Sequence, residues 1–99
     1  MGAREGIVMD QQTLERVRKA VNDFGGMIKD YREKKVLTLE SLASRIDCSA
    51  SYIFRAERGS KIVPIHMRVR ILAKGLNWKA SEIEYFLVET VREYERKKG

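Results

Sequence analysis

Between Thr38 and Gly59 the apolar and small residues fall at Leu42, Ala43, Ile46, Cys48, Ile53 and Ala56, a spacing that two short helices satisfy and an alternating strand does not. Thr38 and Ser49 stand where each helix needs a side-chain oxygen for its first amide groups, and Gly59 stands where the second would stop. The reading is two helices of about seven to nine residues joined by a turn of about three, Ile46-Asp47-Cys48. Ala43 has to be small because the second helix crosses close to it. Leu42, Ile46, Cys48 and Ile53 fill the wedge between the helices, and Ala56 rests on the remaining core. The face left outside carries Ala50, Ser51, Phe54, Arg55 and Arg58 and is free to enter a major groove. Any small helical bundle produces similar spacings, so the pattern alone is moderately specific.

The rest of the chain follows the same period, and the expected fold class is all-α. A first helix starts at Asp10 or Thr13, either of which can cap it, and runs to about Asn22. Leu14, Val17, Val21 and Phe24 form its stripe. Gly25-Gly26 mark a break or a close contact, and a second helix covers about Gly26 to Lys35 with Ile28 and Tyr31 inward. After the loop Ser60 to Pro64 comes a helix from about Ile65 to Leu76, with Val69, Leu72 and Ala73 inward. Trp78 is a core anchor at the next junction. Ser81 and Glu84 have the capping-box spacing and open a final helix that runs to about Lys97.

A chain of 99 residues supports one core. It carries one cysteine and one histidine, Cys48 and His66. An internal disulfide and a cysteine-based zinc site are thereby excluded, no metal or cofactor is expected, and no acid, base or nucleophile constellation points to an enzyme. Cys48 reads as packing and His66 as structural or surface. No apolar run approaches the roughly 20 residues of a membrane span, and no secretory leader is recognisable, so a cytoplasmic protein is expected. The net charge is +6, and between Met27 and Lys79 twelve Lys and Arg residues stand against five Asp and Glu. The basic character belongs to the middle of the chain, where a polyanion would be met. A solubility role would also account for a basic chain, so charge alone does not settle the matter. The terminal run Arg92, Arg96, Lys97 and Lys98 reads as a solvated helix end complementing the dipole.

Phe24-Gly25, Ile28-Lys29, Tyr31-Arg32, Leu42-Ala43, Ser51-Tyr52-Ile53, Glu57-Arg58-Gly59, Pro64 and Leu76 together resemble the Xre (lambda repressor-like) helix-turn-helix family, and within it the SinR-type repressors. The resemblance runs from Phe24 to about Ile83. It implies a compact five-helix DNA-binding domain, to which this chain adds an N-terminal helix and an extended C-terminal helix. The expected division is 1–23 as extension, 24–79 as DNA-binding domain and 80–99 as the C-terminal helix. Two positions depart from the family pattern. Leu39 replaces a glutamine that contacts the DNA backbone and braces the recognition helix, and Asp47 replaces the turn glycine.

What the resemblance implies is sequence-specific binding of double-stranded operator DNA by a transcriptional regulator, usually a dimeric repressor. Base contacts are expected from Ala50, Ser51, Tyr52, Phe54 and Arg55, with Arg55 bridging guanine O6 and N7. Phosphates are expected at Thr38, Ser49, Arg58 and Lys61, which set register without reading sequence. Phe54 either presses on thymine methyls or folds back as core. The resemblance also sets Arg32 opposite Glu57 as a partly buried ion pair. Homodimerisation is expected through Ile83, Phe86, Leu87, Val91 and Tyr94 on the final helix, with Tyr85 and Val88 adding apolar surface beside them. The N-terminal stripe either wraps the monomer, the favoured reading, or joins that interface. A regulatory protein partner fits the same family. Two other functions remain: a DNA-binding antitoxin paired with a toxin, and a helical adaptor that binds protein and shows no salt-sensitive DNA binding.

Overall fold

The computed structural model describes residues 9–98, which contain six α-helices and no strand. They are α1 (Gln11–Asn22), α2 (Phe24–Lys34), α3 (Leu39–Arg45), α4 (Ala50–Arg58), α5 (Ile65–Arg70, continuing as a π-wound turn Ile71–Gly75) and α6 (Ala80–Lys98). The expectation for residues 1–8 of the N-terminal extension lies outside the described residues, as does Gly99.

Local chemistry starts four of these helices. Asp10 accepts from Thr13 N at 2.8 Å, Asp23 from Gly26 N at 3.0 Å, Thr38 from Ser41 N at 2.9 Å and Ser49 from Tyr52 N at 3.1 Å. Each such cap supplies an acceptor to an otherwise orphaned amide and contributes about 1 kcal/mol. The hydrogen bonds from Thr13 hold the Asp10 carboxyl below the usual aspartate range. Asp23 both ends α1 and caps α2, so the break falls at Asp23 and the second helix starts at Phe24, two residues before the expected Gly26. Gly25 is the close contact instead. A Cβ there would overlap the Ala56 carbonyl oxygen and lie 2.8 Å from that of Glu57, so α2 meets α4 backbone to backbone.

The core is one unit. Val17 and Ala20 of α1, Phe24 and Ile28 of α2, Leu42 and Ile46 around α3, Ile53 of α4, Leu72 of α5 and Phe86 of α6 are all buried. Phe86 sits between Phe24, with ring centroids 6.1 Å apart, and the edge-on Trp78 at 6.4 Å. Helix α1 packs on both α2 and α6. Arg16 fastens this side: its guanidinium lies 5.1 Å over the Trp78 ring and 3.0 Å from Glu82. The described extension and the first turns of the last helix therefore share the core of residues 24–79.

Two expectations in the second half need correction. Ala73 faces solvent, and Gly75 is buried in its place. Leu76 N reaches back five residues to Ile71 O at 2.9 Å, and Ile71, Leu72, Gly75 and Leu76 share the inner face at one-turn spacing, which leaves Ala73 on the other side. A Cβ at Gly75 would stand 3.3 Å from both Ile46 and Leu42, so the turn seats directly on α3. The final helix opens earlier than Ser81. Glu82 accepts from Lys79 N at 2.8 Å, so the reciprocal half of a capping box joins Lys79 and Glu82, not Ser81 and Glu84.

Candidate nucleic-acid interface

Helices α3 and α4 meet through Ile46-Asp47-Cys48 as the spacing requires, with Leu42, Ala43, Ile46, Ile53 and Ala56 buried between them and the core. Asp47 adopts φ 56°, the left-handed conformation that aspartate tolerates better than most side chains. Cys48 is half-buried, and burial pushes its thiol above the ordinary cysteine range, which lowers its reactive thiolate fraction. Leu39 is partly buried against the core, so the position that departs from the family pattern contributes packing.

Helix α4 is held from behind. Arg32 of α2 grips Glu57 with two parallel hydrogen bonds, Nε to Oε2 at 2.7 Å and Nη2 to Oε1 at 3.1 Å, and donates Nη1 to Leu37 O at 3.0 Å. The side chains are 18% and 4% exposed. The Glu57 hydrogen bond holds Arg32 above its ordinary pKa. Because Gly25 brings α2 against the α4 backbone at the same end, the outward face of α4 has little freedom to rotate.

On that face Ser51, Phe54, Arg55 and Arg58 are exposed and Ala50 is half-buried. At 100° per residue they form one stripe. Tyr52 does not share it. It lies on the flank, half-buried, with the Lys61 ammonium 5.3 Å above its ring, and burial raises its phenol pKa so that it remains a proton donor. Arg55 Nε donates to Ser51 O at 3.4 Å, and the Arg58 guanidinium lies 5.3 Å over the Phe54 ring. Arg55, Arg58 and Lys61 have no ion-pair partner among the described residues. Phe54 is 45% exposed, and so is not folded back as core.

Thr38 and Ser49 sit at the N-terminal ends of α3 and α4. Ser49 Oγ accepts from Tyr52 N and donates to no acceptor among the described residues, whereas Thr38 Oγ1 donates to Ser41 Oγ at 2.9 Å. Ser41, exposed at the third position of α3, is a residue that sequence reasoning passed over. The signal available was a second hydroxyl three residues after the cap.

The expected dimerisation stripe divides. Ile83 and Phe86 are buried in the monomer core and Leu87 is half-buried, while Val91 and Tyr94 are 60% and 63% exposed. An open groove of about 790 Å³ between α1, α2 and the α5–α6 turn, floored by Met27, Leu76 and Trp78, shares no residue with the α4 face. No described helix is long and apolar enough to cross a membrane.

Residues 23–86 match the family described as "Helix-turn-helix domain". No curated protein and no solved structure gives a significant match to the chain. Family membership implies DNA binding by domains that are typically non-enzymatic. With the matched segment spanning well over half of the chain and containing α2 to α5 with the turn between α3 and α4, the protein belongs to the Xre-like helix-turn-helix domain family.

Proposed function

We propose that this chain is a sequence-specific transcriptional regulator of the SinR-type branch, a repressor that occupies a two-fold operator in double-stranded DNA. The observation that carries the reading is the outward face of α4. Arg55 and Arg58, which have no ion-pair partner among the described residues, stand there beside Ser51 and Phe54, on a helix locked from behind by Arg32 and Glu57. Two arginines without counter-ions among the described residues are expected where a polyanion supplies the missing charge. Arg55 presents the fork that matches guanine O6 and N7, with Ala50 and Ser51 offering a methyl and a hydroxyl one turn earlier. Tyr52, from the flank, suits a phosphate better than a base edge. Thr38 with Ser41, Ser49, Arg58 and Lys61 would hold phosphates on either side.

The same reading makes the working unit a homodimer, because two recognition helices must meet half-sites about one DNA turn apart. Val88, Val91 and Tyr94 leave an apolar strip along the distal half of α6, next to the half-buried Leu87. A second copy covering that strip would remove it from water, and α1, occupied in wrapping its own monomer, need not take part.

Selection of bound sequences from a random duplex pool, at one stated salt concentration, tests the proposal. A two-fold symmetric motif bound with strongly salt-dependent affinity is expected. Absence of any salt-sensitive duplex binding would overturn it and leave the protein-binding adaptor.

A further inference from the structure

One large side chain on the α4 face is wholly apolar. Phe54 occupies the middle of the stripe, one turn after Ala50 and Ser51 and one turn before Arg58, with nearly half its surface in water. Its neighbours Ile53 and Ala56 are buried, so the core beneath is already filled without it. The ring is also oriented: the Arg58 guanidinium covers one face at 5.3 Å, a contact that fixes the ring more firmly when desolvated. A lone exposed apolar side chain needs no explanation in general. An oriented one at the centre of a surface meant for base edges does.

We infer that Phe54 selects a thymine, or a 5-methylcytosine, in each half of the preferred duplex by packing on its C5 methyl group. This rests on the DNA-reading role proposed above. The base-pair edges in a major groove offer donors, acceptors and one apolar feature, that methyl. A phenyl ring can neither donate to nor accept from the polar edges. Opposite an unmethylated C·G pair it would strip water from them and return nothing, which penalises the wrong base as well as favouring the right one. Arg58 couples this to the backbone, because a guanidinium resting on the ring still presents its outer N–H groups to a phosphate. Gripping the phosphate then presses the ring toward the groove.

Deoxyuridine provides the test, since replacing thymine with it deletes the methyl and leaves every hydrogen-bonding group in place. In the selected duplex each thymine is replaced in turn. One position per half-site should lose affinity about three- to tenfold, the contribution of roughly one buried methyl group. In Phe54→Ala that position should become indifferent to the replacement, while Phe54→Leu should keep part of the effect. Putting cytosine at that position should weaken binding, and 5-methylcytosine should restore part of it. Thermal melts of both variants should match the parent, because the ring lies outside the core. Uniform tolerance of deoxyuridine in a duplex still bound sequence-selectively would overturn the role of Phe54 and leave the DNA reading standing. Sensitivity that persists in Phe54→Ala would assign the methyl to another residue. Absence of any sequence-selective duplex would remove both.

Discussion

Arg32 and Glu57, 25 positions apart in the chain, face each other through two parallel hydrogen bonds of 2.7 and 3.1 Å, and the same guanidinium also reaches the Leu37 carbonyl. One side chain thus ties α2, the α2–α3 loop and the end of α4 together. Both groups are largely out of water, so removing one strands the other's charge at a cost of about 3–5 kcal/mol. Arg32→Ala should lower the melting temperature clearly, and Lys34→Ala, which removes an exposed cation without an ion-pair partner among the described residues, should barely change it. Arg32→Lys should recover only part, because an ammonium cannot make the paired bonds. Equal melting temperatures for the Ala variants would show that the pair contributes nothing.

Gly25 and Gly59 should respond differently to alanine. At Gly25 the added methyl meets the α4 carbonyls of Ala56 and Glu57, backbone that can move only by separating the helices. Gly59 has open space around it and needs only its φ of 75°. Gly59→Ala should cost about 1 kcal/mol, the ordinary penalty of a left-handed alanine. Gly25→Ala should cost clearly more, as overpacking does. Denaturant melts of the two variants make the comparison, and a milder Gly25 variant would contradict the close approach.

Val36 is a β-branched residue at φ 55° with 88% of its surface exposed. Nothing is gained from its side chain, and the conformation is disfavoured by about 1–2 kcal/mol. Val36→Asn should therefore stabilise the fold by about 0.5–1 kcal/mol, read as a shift of the urea midpoint without a change of slope. A lower midpoint would mean that the valine makes a contact that matters.

Reading and gripping should separate on DNA. Arg55→Ala should lose about 1–3 kcal/mol on the selected duplex and relax base choice at one position. Lys61→Ala should weaken all duplexes about equally and reduce the magnitude of the salt slope by about 1. An unchanged preferred sequence in the Arg55 variant would misplace the recognition face.

Truncating the last helix is a poor test of dimerisation, because its Ile83 and Phe86 complete the monomer core. Charge on its outer strip is the cleaner probe. Val91→Glu combined with Tyr94→Glu should leave melting of the fold nearly unchanged and convert a dimer to a monomer by sedimentation. A parent protein that sediments as a monomer, or a doubly substituted one that stays dimeric, would take the strip out of this role.

The parts of the fold that were legible in advance are those governed within a turn or two of chain. Thr38 and Ser49 announce α3 and α4 because a hydroxyl three residues from an orphaned amide is a local relationship. The wedge from Leu42 to Ala56 is legible for a related reason, since helical period alone puts those residues on facing sides. Phe54 was undecidable at that level. Whether an apolar residue on the outer face turns inward depends on whether the core has room for it, and Ile53 and Ala56 had filled that room.

By itself the sequence determined the helical class, the turn at Ile46-Asp47-Cys48, the capped starts of α3 and α4 and the outward stripe of α4 apart from Phe54, all through periodicity and short-range hydrogen bonding. Only the tertiary structure decided that Ala73 turns out and Gly75 in, since it is Gly75 that the fold seats against Leu42 and Ile46. It also decided that Lys79 and Glu82 start the last helix after the left-handed Asn77, where Trp78 docks against Phe86. The apolar stripe of α6 was equally compatible with one partner or two. It divides at Leu87 because the buried part of the helix ends with Phe86, and a helix that outruns its own core leaves its remaining apolar residues in water.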